Sequence, residues 1–261
     1  LKTETWQRLS EADSDSPTIL VFPPTGAGAP AFQAMSVLEG AATVWAYCPP
    51  GRGRRLFEDG ICTMDGFISQ IISSIEVPPG PLVLAGVSFG AALAFVTTHA
   101  LESRGVVVSK LVVLCGTSPS SYTVKSAGWD MEGARRRMIN YGLTPADVLE
   151  FEDADTLFVR PTLDDLLLAD SYDGAHAGPV AAPVTCVSAS DDEIVPATEA
   201  VRWRDASSTA CKLIEVAGGH YAHAGFGRKE CPCLMTHPPG RCLSVSPPPG
   251  HTRQRTGFKA F

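Results

Sequence analysis

An apolar run from Pro81 to Ala85 passes through Gly86-Val87-Ser88-Phe89-Gly90 directly into the small-residue stretch Ala91-Ala92-Leu93-Ala94-Phe95. A strand that turns so sharply into a helix must lay that helix back across one face of a sheet. The rest of the chain repeats the alternation. Short β-branched runs at Thr18 to Phe22, Ala42 to Tyr47, Lys110 to Cys115, Pro183 to Ser188 and Lys212 to Val216 join Leu82 to Gly86 as expected strands. Thr63 to Ile75 and Ala91 to Arg104 read as crossover helices. Together they predict an α/β fold, a mostly parallel sheet with helices on both faces.

From about residue 120 to 178 the pattern changes to charged, helix-prone segments, Met131 to Tyr141, Thr144 to Glu150 and Thr162 to Tyr172, with no strand between them. An insertion at the carboxyl end of a strand, where open α/β sheets bind ligands, reads as a helical cap or lid. Two ordinary surface helices would give the same pattern. The expected organisation is an N-terminal extension over 1–17, one catalytic domain over 18–227 and a Pro- and Cys-rich tail over 228–261 that is loosely ordered.

Composition narrows the function. With 44% hydrophobic and 19% charged residues the chain can bury a large core, and its formal charge of -7 offers no cationic footprint for nucleic acid. It has no apolar run long enough for a membrane span, and its first residues lack a signal-peptide layout. A cytoplasmic monomer, bound to neither membrane nor nucleic acid, is expected. Cys48, Cys62, Cys115, Cys186 and Cys211 follow no regular spacing and read as buried free thiols. Cys231, Cys233, His237 and Cys242 cluster in the tail, but their spacing matches no standard zinc site. No metal is expected.

Gly-x-Ser-x-Gly alone arises by chance in roughly one chain of this length in ten; the strand before it and the helix after it make Ser88 the candidate nucleophile. A serine hydroxyl needs an imidazole to take its proton and a carboxylate to orient that imidazole. His220 follows the last expected strand in Ala217-Gly218-Gly219-His220, where the glycines let a loop return over the sheet edge. His223 competes with it, whereas His99 lies within a helix and His176 in the cap. The carboxylate should follow an earlier strand, and Asp191-Asp192-Glu193 after Val184 to Ser188 leaves three choices open. An oxyanion hole needs two backbone N–H groups, one from Phe89 and one from the loop Phe22-Pro23-Pro24-Thr25-Gly26-Ala27-Gly28. No Gly-Lys-Ser/Thr follows that loop, which argues against a phosphate cradle.

These segments, with Pro50-Gly51-Arg52-Gly53-Arg54-Arg55 and Glu58, Asp170-Ser171-Tyr172 and Gly218-Gly219-His220, resemble the type II thioesterases of polyketide and non-ribosomal peptide synthesis over roughly residues 18–225. The resemblance implies an α/β-hydrolase fold. It also implies Asp192 as the triad acid, with Asp191 as the fallback, and Thr25 and Phe89 as the oxyanion donors. The implied substrate is an acyl or peptidyl chain on the phosphopantetheine arm of a carrier protein, hydrolysed through an acyl-enzyme on Ser88 without a cofactor. A general carboxylesterase or lipase would use the same triad, and a scaffold without turnover would keep the same motifs. The Pro-Gly-Arg segment reads as a turn whose arginines solvate the surface or pair with Glu58. After His220 the chain departs from the family's closing amphipathic helix.

Overall fold

A computed structural model of the chain describes residues 1–125, 128–142, 144–174 and 178–221. Strands β1 (Trp6–Ser10), β2 (Thr18–Phe22), β3 (Thr43–Tyr47), β4 (Leu82–Val87), β5 (Lys110–Leu114), β6 (Val184–Ala189) and β7 (Cys211–Val216) form one sheet. Their order is β1-β3-β2-β4-β5-β6-β7, with β1 antiparallel to β3 and the other neighbours parallel.

The central strands are apolar throughout because both faces are covered. Leu20, Phe22, Leu82, Leu84, Leu111 and Val113 point to one core cluster, shared with α1 (Met64–Ser74) and α2 (Phe89–Glu102). The alternate residues Ile19, Val21, Val83, Ala85, Val112 and Leu114 point to the other, with Phe32, Met35 and Leu38 from a 3₁₀ segment over Ala29–Leu38. That two-residue alternation within continuous apolar runs is what a doubly covered sheet requires. The fold is that of the α/β-hydrolases.

All six expected strands form, none displaced by more than a residue at either end. The region assigned to an N-terminal extension instead supplies the seventh strand. Trp6 is fully buried and its indole N–H donates to Ser74 Oγ at 2.9 Å, while Arg8 faces outward. Such a half-polar edge strand lacks the apolar run that marks its neighbours.

Between β5 and β6 lie α3 (Met131–Asn140), a 3₁₀ turn at Val148–Glu150, and a π turn at Asp155–Val159 that runs into α4 (Arg160–Asp170). The helix expected over Thr144 to Glu150 shrinks to that 3₁₀ turn. With Gly142 at φ 58° before it, the segment is too short to propagate an α-helix. Ala134, Met138, Leu149, Val159, Leu163 and Leu166 form a small cluster of their own, apart from the two sheet cores. Among the described residues no helix is long and apolar enough to cross a membrane. The tail with Cys231, Cys233, His237 and Cys242 lies outside the described residues, as do His176 and His223.

Candidate active site

In the order β3-β2-β4-β5 the chain reverses direction across the sheet between β2 and β4, which opens a crevice at their carboxyl ends. The loops after these two strands carry Thr25 and Ser88. Ser88 adopts φ 54° and ψ -122°, and the only other described non-glycine with positive φ is Cys115 at 47°. A left-handed serine is strained, and the surroundings must enforce it. A Cβ on Gly86 would meet Gly90 O at 2.0 Å, and one on Gly90 would meet Phe22 O at 2.1 Å. The Ser88 amide donates to Leu114 O at 2.9 Å, which fixes the turn against β5. Ser88 itself is half-buried, and Phe89 opens α2, so the helix's positive end faces the serine.

The residues expected as acid and base lie on the loops after β6 and β7. Asp192 is almost completely buried, and its Oδ1 accepts the amides of Ile194 and Val195, each at 2.9 Å. His220 Nδ1 lies 2.8 Å from Asp192 Oδ2 and, facing a carboxylate, carries the proton of that hydrogen bond. Its Nε2 is thereby left with the lone pair. Two backbone bonds stitch the loops together, Asp191 N–H to Gly218 O at 2.9 Å and Ser190 N–H to Val216 O at 2.9 Å. Gly218 takes φ 121° to let the chain double back to His220. Of the three adjacent acids, Asp191 and Glu193 are exposed and Asp192 meets the imidazole. His99 lies exposed on α2.

The thiol of Cys115, at the end of β5, also adjoins Asp192. Burial, reinforced by the Asp192 charge, pushes its pKa up to about 12. The five described cysteines are all free.

Two cavities meet this crevice. One of about 220 Å³ is lined by Thr25, Ser88, Phe89, Tyr122, Trp129 and Leu166 among others. The second, of about 310 Å³, lies between Thr25, Gly26, Met138, Phe158, Thr162 and Tyr221. Thr25 borders both. The inserted helices therefore wall the space beside Ser88, where apolar side chains alternate with the polar Lys125, Arg137 and Asp170.

Arg52 departs from expectation. It is buried, at 8% exposure, and its guanidinium pairs with Asp165 of α4 at 2.7 Å. Burial opposes its charge, and the Asp165 carboxylate more than offsets that, so its pKa is raised. Arg55 does pair with Glu58, at 2.5 Å, and that hydrogen bond lowers the Glu58 pKa. The Arg52 partner is 113 residues away in sequence, and no local pattern marks it.

The thioesterase domain family matches residues 17–225. A probable cadicidin biosynthesis thioesterase of Streptomyces griseus is 27% identical over 220 residues, 82% of this chain and 60% of the relative. The chain thus spans 60% of the length of the curated relative it matches. Among solved structures, RedJ, a thioesterase of the prodiginine pathway of Streptomyces coelicolor, superposes with a TM-score of 0.72 at 25% identity, covering 85% of this chain and 90% of its own. YbtT, a type II thioesterase of the yersiniabactin pathway, gives a TM-score of 0.73 at 20% identity over 84% of this chain and 92% of its own.

Proposed function

Because the chain belongs to the thioesterase domain family, we propose that it hydrolyses acyl or peptidyl thioesters held on the phosphopantetheine arm of a carrier protein, in polyketide or non-ribosomal peptide synthesis. The observation that carries this reading is the buried His220–Asp192 pair at 2.8 Å, on the same sheet edge as the strained Ser88 turn.

In the proposed scheme Ser88 Oγ attacks the thioester carbonyl while His220 Nε2 takes its proton. Negative charge develops on the carbonyl oxygen, and the amides of Thr25 and Phe89 stabilise it. The carbon–sulfur bond breaks, the imidazolium returns the proton to the departing pantetheine sulfur, and the acyl group stays on Ser88. A water molecule, deprotonated by His220, then attacks the acyl-serine; the bond from the acyl carbon to Ser88 Oγ breaks, the imidazolium returns the proton to Oγ, and the carboxylic acid leaves. Asp192 holds the imidazole with Nδ1 protonated through both halves. The scheme uses neither metal nor cofactor. A monomer working in the cytoplasm beside its synthase completes the proposal, with light scattering as the check on the monomer.

The relatives whose pathways are named support the substrate class: yersiniabactin synthesis for YbtT, prodiginine synthesis for RedJ. The test compares acyl-pantetheine thioesters with p-nitrophenyl esters and follows Ser88 by intact mass. An acyl adduct on Ser88, with thioesters as the preferred substrates, is the expected result. Preference for the oxygen esters points to a general esterase, and a folded chain that a fluorophosphonate leaves unlabelled at Ser88 points to a scaffold without turnover.

A further inference from the structure

The loop after β2 carries the proposed oxyanion donor Thr25, yet a loop is poorly suited to hold an amide within a fraction of an ångström. Pro24 to Ala27 form a tight turn closed by Ala27 N–H to Pro24 O at 3.0 Å, with Gly26 at φ 76° in the third position, as a type II turn requires. That turn does not stand alone. Asp165 Oδ2, from α4, accepts the Gly26 amide at 2.7 Å. The same oxygen accepts Arg52 Nη1 at 2.8 Å, and Asp165 Oδ1 accepts Arg52 Nη2 at 2.7 Å.

Arg52 uses its remaining Nη hydrogens on two backbone carbonyls. Nη1 donates to Ala27 O at 2.9 Å, at the end of the turn, and Nη2 donates to Pro161 O at 3.0 Å, in the first turn of α4. The guanidinium thus joins three segments that are far apart in sequence: the turn, the loop after β3, and the cap helix. Asp165 grips the turn at Gly26 while Arg52 grips it at Ala27. From the other side Thr162 fills the space over Gly26, where an added Cβ would lie 2.5 Å from Thr162 Oγ1.

We propose that Arg52 and Asp165 form a positioning clamp that aims the Thr25 amide at the developing oxyanion and ties that aim to the seating of the cap. This rests on the hydrolytic reading of the site given above. Neither residue lines either of the two cavities that Thr25 borders. Both act through the turn that carries Thr25, Asp165 at the Gly26 amide and Arg52 at the Ala27 carbonyl, so their effect falls on the transition state rather than on ground-state binding. Lysine cannot replace Arg52, because a single ammonium cannot bridge a carboxylate and two carbonyls in a planar fork.

The test uses the full chain with Arg52→Lys and Asp165→Asn. Since breaking a buried pair can cost the fold, the apolar double replacement Arg52→Met with Asp165→Leu is made alongside them. Three quantities are read: kcat and KM on an acyl-pantetheine thioester, the affinity of an alkyl boronic acid that adds to Ser88, and the affinity of the unreactive amide analogue of the thioester. Expected is a fall in kcat of at least ~30-fold with KM within about threefold, somewhat milder than removing an oxyanion donor outright, which costs ~10²–10³. Boronate affinity should weaken in parallel, and amide-analogue affinity should hold. Glu58→Gln, which breaks the neighbouring Arg55 pair, should leave all three within about twofold, as suits an ion pair with one exposed partner.

Folded clamp variants whose kcat and boronate affinity stay within about threefold of the parent overturn the clamp, as does equal weakening of the boronate and the amide, which is the mark of general loosening. If the unaltered chain turned over no thioester, the hydrolytic reading would fail, and the boronate and amide arms would still decide the clamp by the same criteria.

Discussion

Replacing Asp192 with asparagine removes one charge and almost no volume, and the hydrogen bonds around the carboxylate dictate how the new amide must sit. Two backbone donors, Ile194 and Val195, point at Oδ1 at 2.9 Å each. If the asparagine nitrogen took that side, two N–H groups would face an NH₂, and two buried donors would lose their acceptor at about 1–3 kcal/mol apiece. The asparagine oxygen therefore keeps the Oδ1 place, and the NH₂ faces His220 Nδ1. The NH₂, 2.8 Å from Nδ1 against 3.0 Å for the retained oxygen, demands an acceptor, and that oxygen is already taken by two amides, so Nδ1 gives up its proton and Nε2 becomes the protonated nitrogen. In that tautomer the imidazole cannot take a proton from Ser88. The corresponding change in a serine protease triad lowers kcat about 10⁴-fold, close to 5.4 kcal/mol of barrier.

The same geometry limits the loss of stability. The two backbone bonds survive, but they and the His220 bond all change from charge-assisted to neutral, a loss of about 2–4 kcal/mol. Steady-state turnover of an acyl-pantetheine thioester gives the first quantity and urea unfolding the second. Asp191→Asn, altering an exposed side chain, should change turnover by less than about threefold. An Asp192→Asn enzyme within tenfold of the parent rate would refute the assignment, as would an Asp191→Asn enzyme that lost activity instead.

Gly90→Ala should give no folded protein, since its Cβ would lie 2.1 Å from Phe22 O and 2.6 Å from Pro23 O; soluble yield and a melting curve check it. Trp6→Ala should cost about 3–5 kcal/mol in chemical unfolding, which would establish that β1 belongs to the core rather than to a dispensable extension. Cys115 should resist iodoacetamide at pH 8 in the folded chain and react after unfolding. A buried thiol with a raised pKa holds its proton in the folded state after the unfolded chain has lost it. Its contribution is therefore fully present below the ordinary thiol value of 9.0 and is lost as the pH rises towards about 12. Stability should fall across that alkaline window, by about 1.4 kcal/mol per pH unit for this group, and Cys115→Ala should flatten the fall in denaturant titrations.

The central strands and both crossover helices are legible in the sequence because burial on two faces demands long apolar runs, and nothing else in the chain supplies them. Thr63 marks the start of α1 as well, through its side-chain oxygen accepting the Gly66 amide at 3.3 Å. β1 is hidden by its exposed half. The segment Ala29–Leu38 is hidden because a 3₁₀ helix opening at Pro30 follows neither the helical nor the strand period. At the site, Ser88 and His220 can be read from glycine-flanked turns after strands. Three adjacent acids cannot be separated by spacing, because what singles out Asp192 is which carboxylate the amides of Ile194 and Val195 turn inward. Arg52 reads as a surface charge since arginine next to a Pro-Gly turn usually is one. Only a partner brought from α4 by the tertiary fold makes its burial tolerable.

The cap helices carry a small apolar cluster of their own and are inserted between β5 and β6, strands that lie side by side. Parallel strands put the end of β5 and the start of β6 toward opposite edges of the sheet, yet the chain enters and leaves the cap at one place, where the Gly174 amide donates to Tyr122 O at 3.2 Å, as in an interchangeable cassette. Acyl preference could then change by exchanging the whole unit between relatives while the sheet stays as it is. The limit on such grafting is Asp165, which sits inside the cassette while the arginine it must meet sits outside. A transplanted cap without a carboxylate at that place would bring a new pocket and leave a buried guanidinium with nothing to hold.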